Sequence, residues 1–184
     1  MATLTNAHEM IEEMRQVRQA RLYRPDPVPE NVLKELLEVA RWTGSSRNSQ
    51  PWQFVVVTDK EQLRQLSQLR TPINWMADAP LAIVIVLDGA SAMAEAYDEG
   101  RVTERLLVGA RILGLGGGTA WFAAPEEEQR AKEILGIPAE RTAHSAVIIG
   151  YPTTLKDHRP NANTPGRKPL AEIVSYRQFG NAKA

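Results

Sequence analysis

The chain has 184 residues, of which 43% are hydrophobic, and 22 Lys and Arg balance 22 Asp and Glu. That length can bury roughly 70% of its unfolded surface in one core, and zero formal net charge gives nucleic acid or an anionic membrane no global field to follow. There is no cysteine, which excludes disulfides, thiolate catalysis and cysteine-held metal clusters, and His8, His144 and His158 form no metal-ligand pattern.

Residues 5–20 read as a polar helix, with Met10, Ile11, Met14 and Val17 at helical spacing. The prolines at 25, 27 and 29 then impose an extended connection, and Pro29-Glu30 suits the start of a second helix. Val32, Leu33, Leu36, Leu37 and Ala40 give that helix an apolar face. Gly44 to Asn48 is turn-like, and Phe54 to Val57 reads as a buried strand. Lys60 to Arg70 is a short helix, and Leu81 to Leu87 a second buried strand. Ala92 to Leu113 reads as a long helix interrupted by Gly100 and Gly109 and ended by Gly114 to Gly118. Glu126 to Leu135 is another helix, stopped at Gly136 and Pro138. Ala146 to Ile149 is a third strand, residues 153–169 a loop, and Leu170 to Tyr176 a terminal helix or strand. Few, short, apolar strands separated by helices predict a single α+β or α/β domain over residues 1–184, its sheet covered on both faces.

The longest apolar stretch, Ala79 to Leu87, is far short of the roughly 20 residues a membrane helix needs. The charged first 20 residues carry no apolar run of signal type, so a cytoplasmic location is expected.

Several constellations could carry chemistry. Arg18 and Arg21, three residues apart, would share a helix face and suit a phosphate; the same cations would also complement a helix C-terminus. Ser45, Ser46, Asn48 and Gln50 crowd hydroxyls and amides ahead of Pro51-Trp52, a set that can match the edge of a heteroaromatic ring or simply make a turn. Gly114 to Thr119 is not a dinucleotide fingerprint, because it follows a helix and ends in Thr119. It reads instead as a helix C-terminus whose glycines permit close approach to something flat. Glu95, Asp98 and Glu99 read as solvated carboxylates or a local cap. Arg167-Lys168-Pro169 could bring a further cation to an anion held by Arg18 and Arg21.

In order, these pieces resemble the nitroreductase family of flavin enzymes. Arg18, Arg21 and Tyr23 look like its entry motif, and Ser45-Ser46-Arg47-Asn48-Ser49-Gln50-Pro51-Trp52 like its Ser-x-x-Asn-x-Gln-Pro-Trp signature. Gly114-Leu115-Gly116 running to Trp121, Gly150-Tyr151-Pro152 and Arg167-Lys168-Pro169-Leu170 follow in register. The resemblance implies an α+β, three-layer α-β-α sandwich with a central, mainly antiparallel sheet, assembled as an intertwined homodimer with noncovalent FMN at the subunit interface.

By position, Arg18, Gln19 and Arg21 would contact the phosphate, ribityl chain and pyrimidine edge. Ser45 and Asn48, with Gln50 in the same signature, would serve the flavin from the partner subunit. The backbone from Gly118 through Thr119 to Trp121 would lie by the reactive ring, and Arg167, with Lys168, would close on the phosphate. NADH or NADPH would deliver hydride to the flavin and leave, and a small oxidant such as a nitroaromatic or quinone would then take the electrons, with no catalytic side chain and no metal. A small-heterocycle dehydrogenase, a reductive dehalogenase and a non-catalytic flavin-binding protein are the alternatives on the same fold. Two departures stand out. Val17, Arg18 and Gln19 replace the two arginines and serine usual at the entry, and Gly44 replaces the proline that usually opens the signature.

Overall fold

The computed structural model describes residues 4–153 and 166–181. The element order is α1 (Leu4–Arg15), α2 (Glu30–Arg41), β1 (Gln53–Val57), α3 (Lys60–Ser67), β2 (Leu81–Leu87), α4 (Ala92–Ile112), β3 (Gly116–Trp121), α5 (Pro125–Leu135), β4 (Thr142–Gly150) and α6 (Leu170–Ile173). Short 3₁₀ turns cover Ser46–Asn48 and Thr71–Asp78. The loop expected at 153–169 lies largely outside the described residues.

The four strands form one antiparallel sheet in the order β1-β2-β4-β3. All seven residues of β2 are buried, because the strand is central and covered on both faces. Its alternation sorts the core. Leu81, Ile83, Ile85 and Leu87 join Leu36 of α2 and Leu106 of α4 on one face. Ala82, Val84 and Val86 join Leu63, Met76 and Ala131 on the other, under α3, the second 3₁₀ turn and α5. The result is the expected three-layer sandwich, held by two apolar layers. Truncating a fully buried leucine such as Leu36 or Leu106 to Ala would cost about 2–5 kcal/mol.

Four expectations need correction. The first helix ends at Arg15, not at residue 20. Residues 17–23 run extended instead, bridging Gln19 to Gly117 and Tyr23 to Pro152, and the Ala20 N–H donates to the Gly117 carbonyl at 2.8 Å. The edge of β3 satisfies these backbone groups, so the segment follows the sheet rather than the helical spacing of Val17.

The glycine run as a whole does not end α4. Only Gly114 does that, at φ 76°, with the Leu115 N–H donating to the Ala110 carbonyl at 2.8 Å. Gly116 to Gly118 belong to β3, so the sheet has a fourth strand that the sequence reading did not contain. Nor do Gly100 and Gly109 interrupt α4, which runs unbroken for 21 residues.

Finally, Glu95 and Asp98 are 3% and 4% exposed, not solvated. They continue the stripe of Val102 and Leu106 at steps of three and four, so they face the sheet.

Large apolar side chains remain exposed on Met10, Ile11 and Met14 of α1, on Trp42 after α2 and on Tyr97 of α4. Among the described residues no helix is long and apolar enough to cross a membrane, and no cluster of His, Asp or Glu could hold a metal ion.

Candidate functional site

A cleft that includes expected residues has a volume of about 640 Å³ and opens between β3, β4 and the first half of α4. That size lies in the range of small-molecule sites. One wall is the segment 17–23 against β3. Gln19 Oε1 accepts from the Thr119 N–H at 2.8 Å, and its Nε2 approaches Thr119 Oγ1 at 3.4 Å. Gln19, Thr119 and Trp121 all line the cleft, with the Trp121 side chain 60% exposed.

Backbone crowding explains the glycines behind this wall. A Cβ on Gly118 would stand 2.4 Å from the Ala20 carbonyl oxygen and 2.9 Å from the Trp75 ring. Only a residue without a side chain lets 17–23 lie this close to the strand. Tyr23 closes the same corner: its hydroxyl donates to the Ala20 carbonyl at 2.7 Å, and burial pushes its pKa up.

Arg18 and Arg21 do not share a helix face, because the segment that carries them is extended. The Arg18 Nη1 donates to the carbonyls of Arg15 and Val17 at 2.6 and 2.7 Å, completing the C-terminus of α1. The Arg21 guanidinium lies 5.8 Å from the centre of the Trp75 ring, a cation–π contact. Both arginines are exposed.

Ser45, Asn48 and Gln50 sit on a separate loop after α2. Ser45 Oγ accepts from the Gln50 N–H at 2.8 Å. Arg47, Asn48 and Gln50 all have positive φ, at 51°, 56° and 49°, a conformation that costs residues with a Cβ about 1–2 kcal/mol each. Such strain concentrates at functional sites. None of these residues lines the cleft of their own chain. Arg167 and Lys168 are exposed ahead of α6 and do not line it either.

Sequence reasoning missed the far end of the cleft, where Glu99, His144 and Ser145 meet. Ser145 Oγ donates to Glu99 Oε1 at 2.6 Å. Burial raises the Glu99 pKa, opposed by the Ser145 hydrogen bond and the nearby His144 and reinforced by Glu95 and Glu128. His144 Nδ1 lies 3.3 Å from Glu128 Oε2. Glu95 Oε2 accepts from Thr142 Oγ1 at 3.0 Å, while its Oε1 is buried without a hydrogen-bond partner among the described residues. The available signal was the continuation of the α4 core stripe into acidic residues, whose burial demands polar partners on the sheet. As a whole, the cleft joins an amide–hydroxyl edge and an exposed indole to a carboxyl–hydroxyl–imidazole floor, and suits a planar ring with polar edges.

Comparison with known proteins bears on the family and the fold. A model of the nitroreductase family matches residues 14–72, which include the 17–23 segment and the Ser45–Gln50 loop. A protein described as a putative NADH dehydrogenase/NAD(P)H nitroreductase from Archaeoglobus fulgidus is 33% identical over 147 residues, covering 76% of this chain and 83% of its own. A Bacillus subtilis protein described as an FMN reductase [NAD(P)H] is 27% identical, covering 83% of this chain and 70% of its own. Among solved structures, an FMN-dependent nitroreductase from Clostridium difficile superposes with a TM-score of 0.81 at 26% identity, covering 92% of this chain and 99% of that one.

Proposed function

The chain belongs to the nitroreductase family, and from that premise we propose that it carries electrons from NADH or NADPH, through noncovalent FMN, to a small organic acceptor such as a nitroaromatic or quinone. The observation that carries the reading is the cleft lined by Gln19, Thr119 and Trp121. Its volume and its amide and hydroxyl edge fit a flat heteroaromatic ring, and three of the residues that the resemblance would assign to the flavin line it. When bound, the flavin supplies the hydride chemistry.

The chain's own residues bind and orient. Gln19 and Thr119 offer exchangeable hydrogen bonds to the ring edge. Arg21, held over Trp75, would offer positive charge to the electron density that builds on a reduced flavin. Arg18 directs Nη1 at the carbonyls of Arg15 and Val17, and a phosphate would attract the same guanidinium more strongly. Arg167 and Lys168 are exposed cations and would close on the same anion.

Ser45, Asn48 and Gln50 lie off the cleft of their own chain, which supports their serving the flavin of a partner subunit in a homodimer. The exposed apolar side chains of α1 and α4, among them Met10, Met14 and Tyr97, support the same assembly. Residues 1–184 would act together as one flavin-binding domain.

Anaerobic mixing with NADH or NADPH tests the activity. The bound flavin should bleach with at least one donor and recover on adding a quinone or nitroaromatic. A flavin that neither donor bleaches would leave a flavin-binding protein without this activity.

A further inference from the structure

Gly44, which stands where the family signature usually has proline, faces a side chain of α4. A Cβ at Gly44 would lie 2.8 Å from Nη2 of Arg101. The guanidinium therefore covers the space that a proline ring or a methyl group would fill. Arg101 is tethered in turn: its Nη1 stands 3.4 Å from Oδ1 of Asp98, whose side chain is 6% exposed against 51% for Arg101. One turn further on, Nη1 of Arg105 donates to the Trp42 carbonyl at 2.8 Å. Two successive turns of α4 thus grip the chain on either side of the buried Thr43. Immediately beyond that grip come the positive φ angles of Arg47 and Asn48, which persist only where the surroundings impose them.

We propose that Arg101, anchored by the buried carboxylate of Asp98, is a positioning residue for the flavin site, fixing with Arg105 the Gly44–Asn48 loop in the conformation that presents Ser45 and Asn48. The inference rests on the flavin reading above. Gly44 and Arg101 are a matched pair in it: a side chain at 44 would displace the guanidinium and break its tether to Asp98. The same stretch of α4 contributes Glu99, Gly100 and Thr103 to the chain's own cleft. One segment of helix therefore shapes the site of its own chain and holds the loop offered to the partner.

The test compares wild type, Arg101→Ala, Arg101→Lys, Gly44→Ala and the Arg101→Ala/Gly44→Ala double variant. FMN affinity of the apoproteins is read by flavin fluorescence, and the loop by amide exchange across residues 43–50. Arg101→Ala should weaken FMN binding about ten-fold and speed exchange across the loop, while Arg101→Lys restores part of both. Gly44→Ala should cost about five-fold in wild type and under two-fold once Arg101 is gone, because the two changes remove one interaction.

Unchanged FMN affinity and loop exchange in Arg101→Ala, or losses that multiply in the double variant, would overturn the positioning role. If Arg101→Ala does not fold, Arg101→Lys and Gly44→Ala decide the matter by the loop exchange alone. Because exchange reads the loop without flavin, a wild type that never binds FMN sinks the functional reading and leaves the loop's positioning separately decidable.

Discussion

The two halves of the proposed flavin site are built on different principles. The edge formed by 17–23 and β3 is backbone laid on backbone: the Ala20 N–H pairs with Gly117, and Gly118 leaves no room for a side chain. The Gly44–Gln50 loop is held by side chains, through Ser45 Oγ, Arg101 and Arg105, and it carries three positive φ angles outside glycine. The first half should lose global stability to added bulk, while polar changes in it should alter flavin binding with little loss of stability. The second should respond to charge and hydrogen-bond changes with little loss of global stability. A site divided this way rests one half on backbone pairing and the other on side-chain contacts.

Substitutions can break or sharpen that contrast. The largest effect belongs to Gly118→Val, which forces atoms into the Ala20 carbonyl and the Trp75 ring. It should cost about 3 kcal/mol and lower Tm by roughly 6–12 °C in thermal unfolding. A variant that melts like wild type would show that the edge is looser than described.

Next comes Arg21→Ala, which removes an exposed cation and its contact with Trp75. It should weaken FMN retention by about ten-fold and lower the flavin potential, with little change in Tm. Unchanged affinity and potential in equilibrium dialysis and redox titration would remove Arg21 from the site.

Gln19→Ala leaves the Thr119 N–H without its 2.8 Å acceptor. The side chain is exposed and water can replace it, so the stability cost should be about 0.5–1 kcal/mol, with FMN weakened about three-fold.

The smallest effect is a pH dependence. Burial raises the Glu99 pKa in the folded chain, so between the ordinary carboxylate range and that raised value the folded state binds more protons than the unfolded one. Stability from this group is therefore present at low pH and lost as pH rises through the folded pKa. Glu99→Gln should flatten this part of the Tm-against-pH curve and gain on wild type at high pH. Parallel curves would contradict the assignment.

The contrast also explains what was legible in the sequence. The β2 run from Leu81 to Leu87 and the apolar stripe of α2 signal themselves through hydrophobicity and period, and both elements stand where expected. β3 carries no such signal. Its glycines are dictated by what lies against them, namely Ala20, Leu107 and Trp75, and close approach leaves no mark on a single chain except small size. The end of α1 was misplaced for the same reason, since the pairing of Gln19 with Gly117 spans almost 100 residues of sequence.

Site residues followed the same division. The Ser45–Trp52 signature could be read as a motif, and Gln19 and Thr119 each followed from family position, but their hydrogen bond to one another did not. Glu99 with Ser145, and Arg101 over Gly44, arise only when α4 is laid against the sheet and the loop. Acidic residues on a core stripe were the one trace of them in the sequence.

The most direct test of the central claim is the flavin content of the purified protein. Denaturing a known amount of chain and quantifying the released chromophore should give FMN approaching one per chain, and stripped protein should take it up again. A colourless chain that neither releases FMN nor can be reconstituted with it would contradict the account.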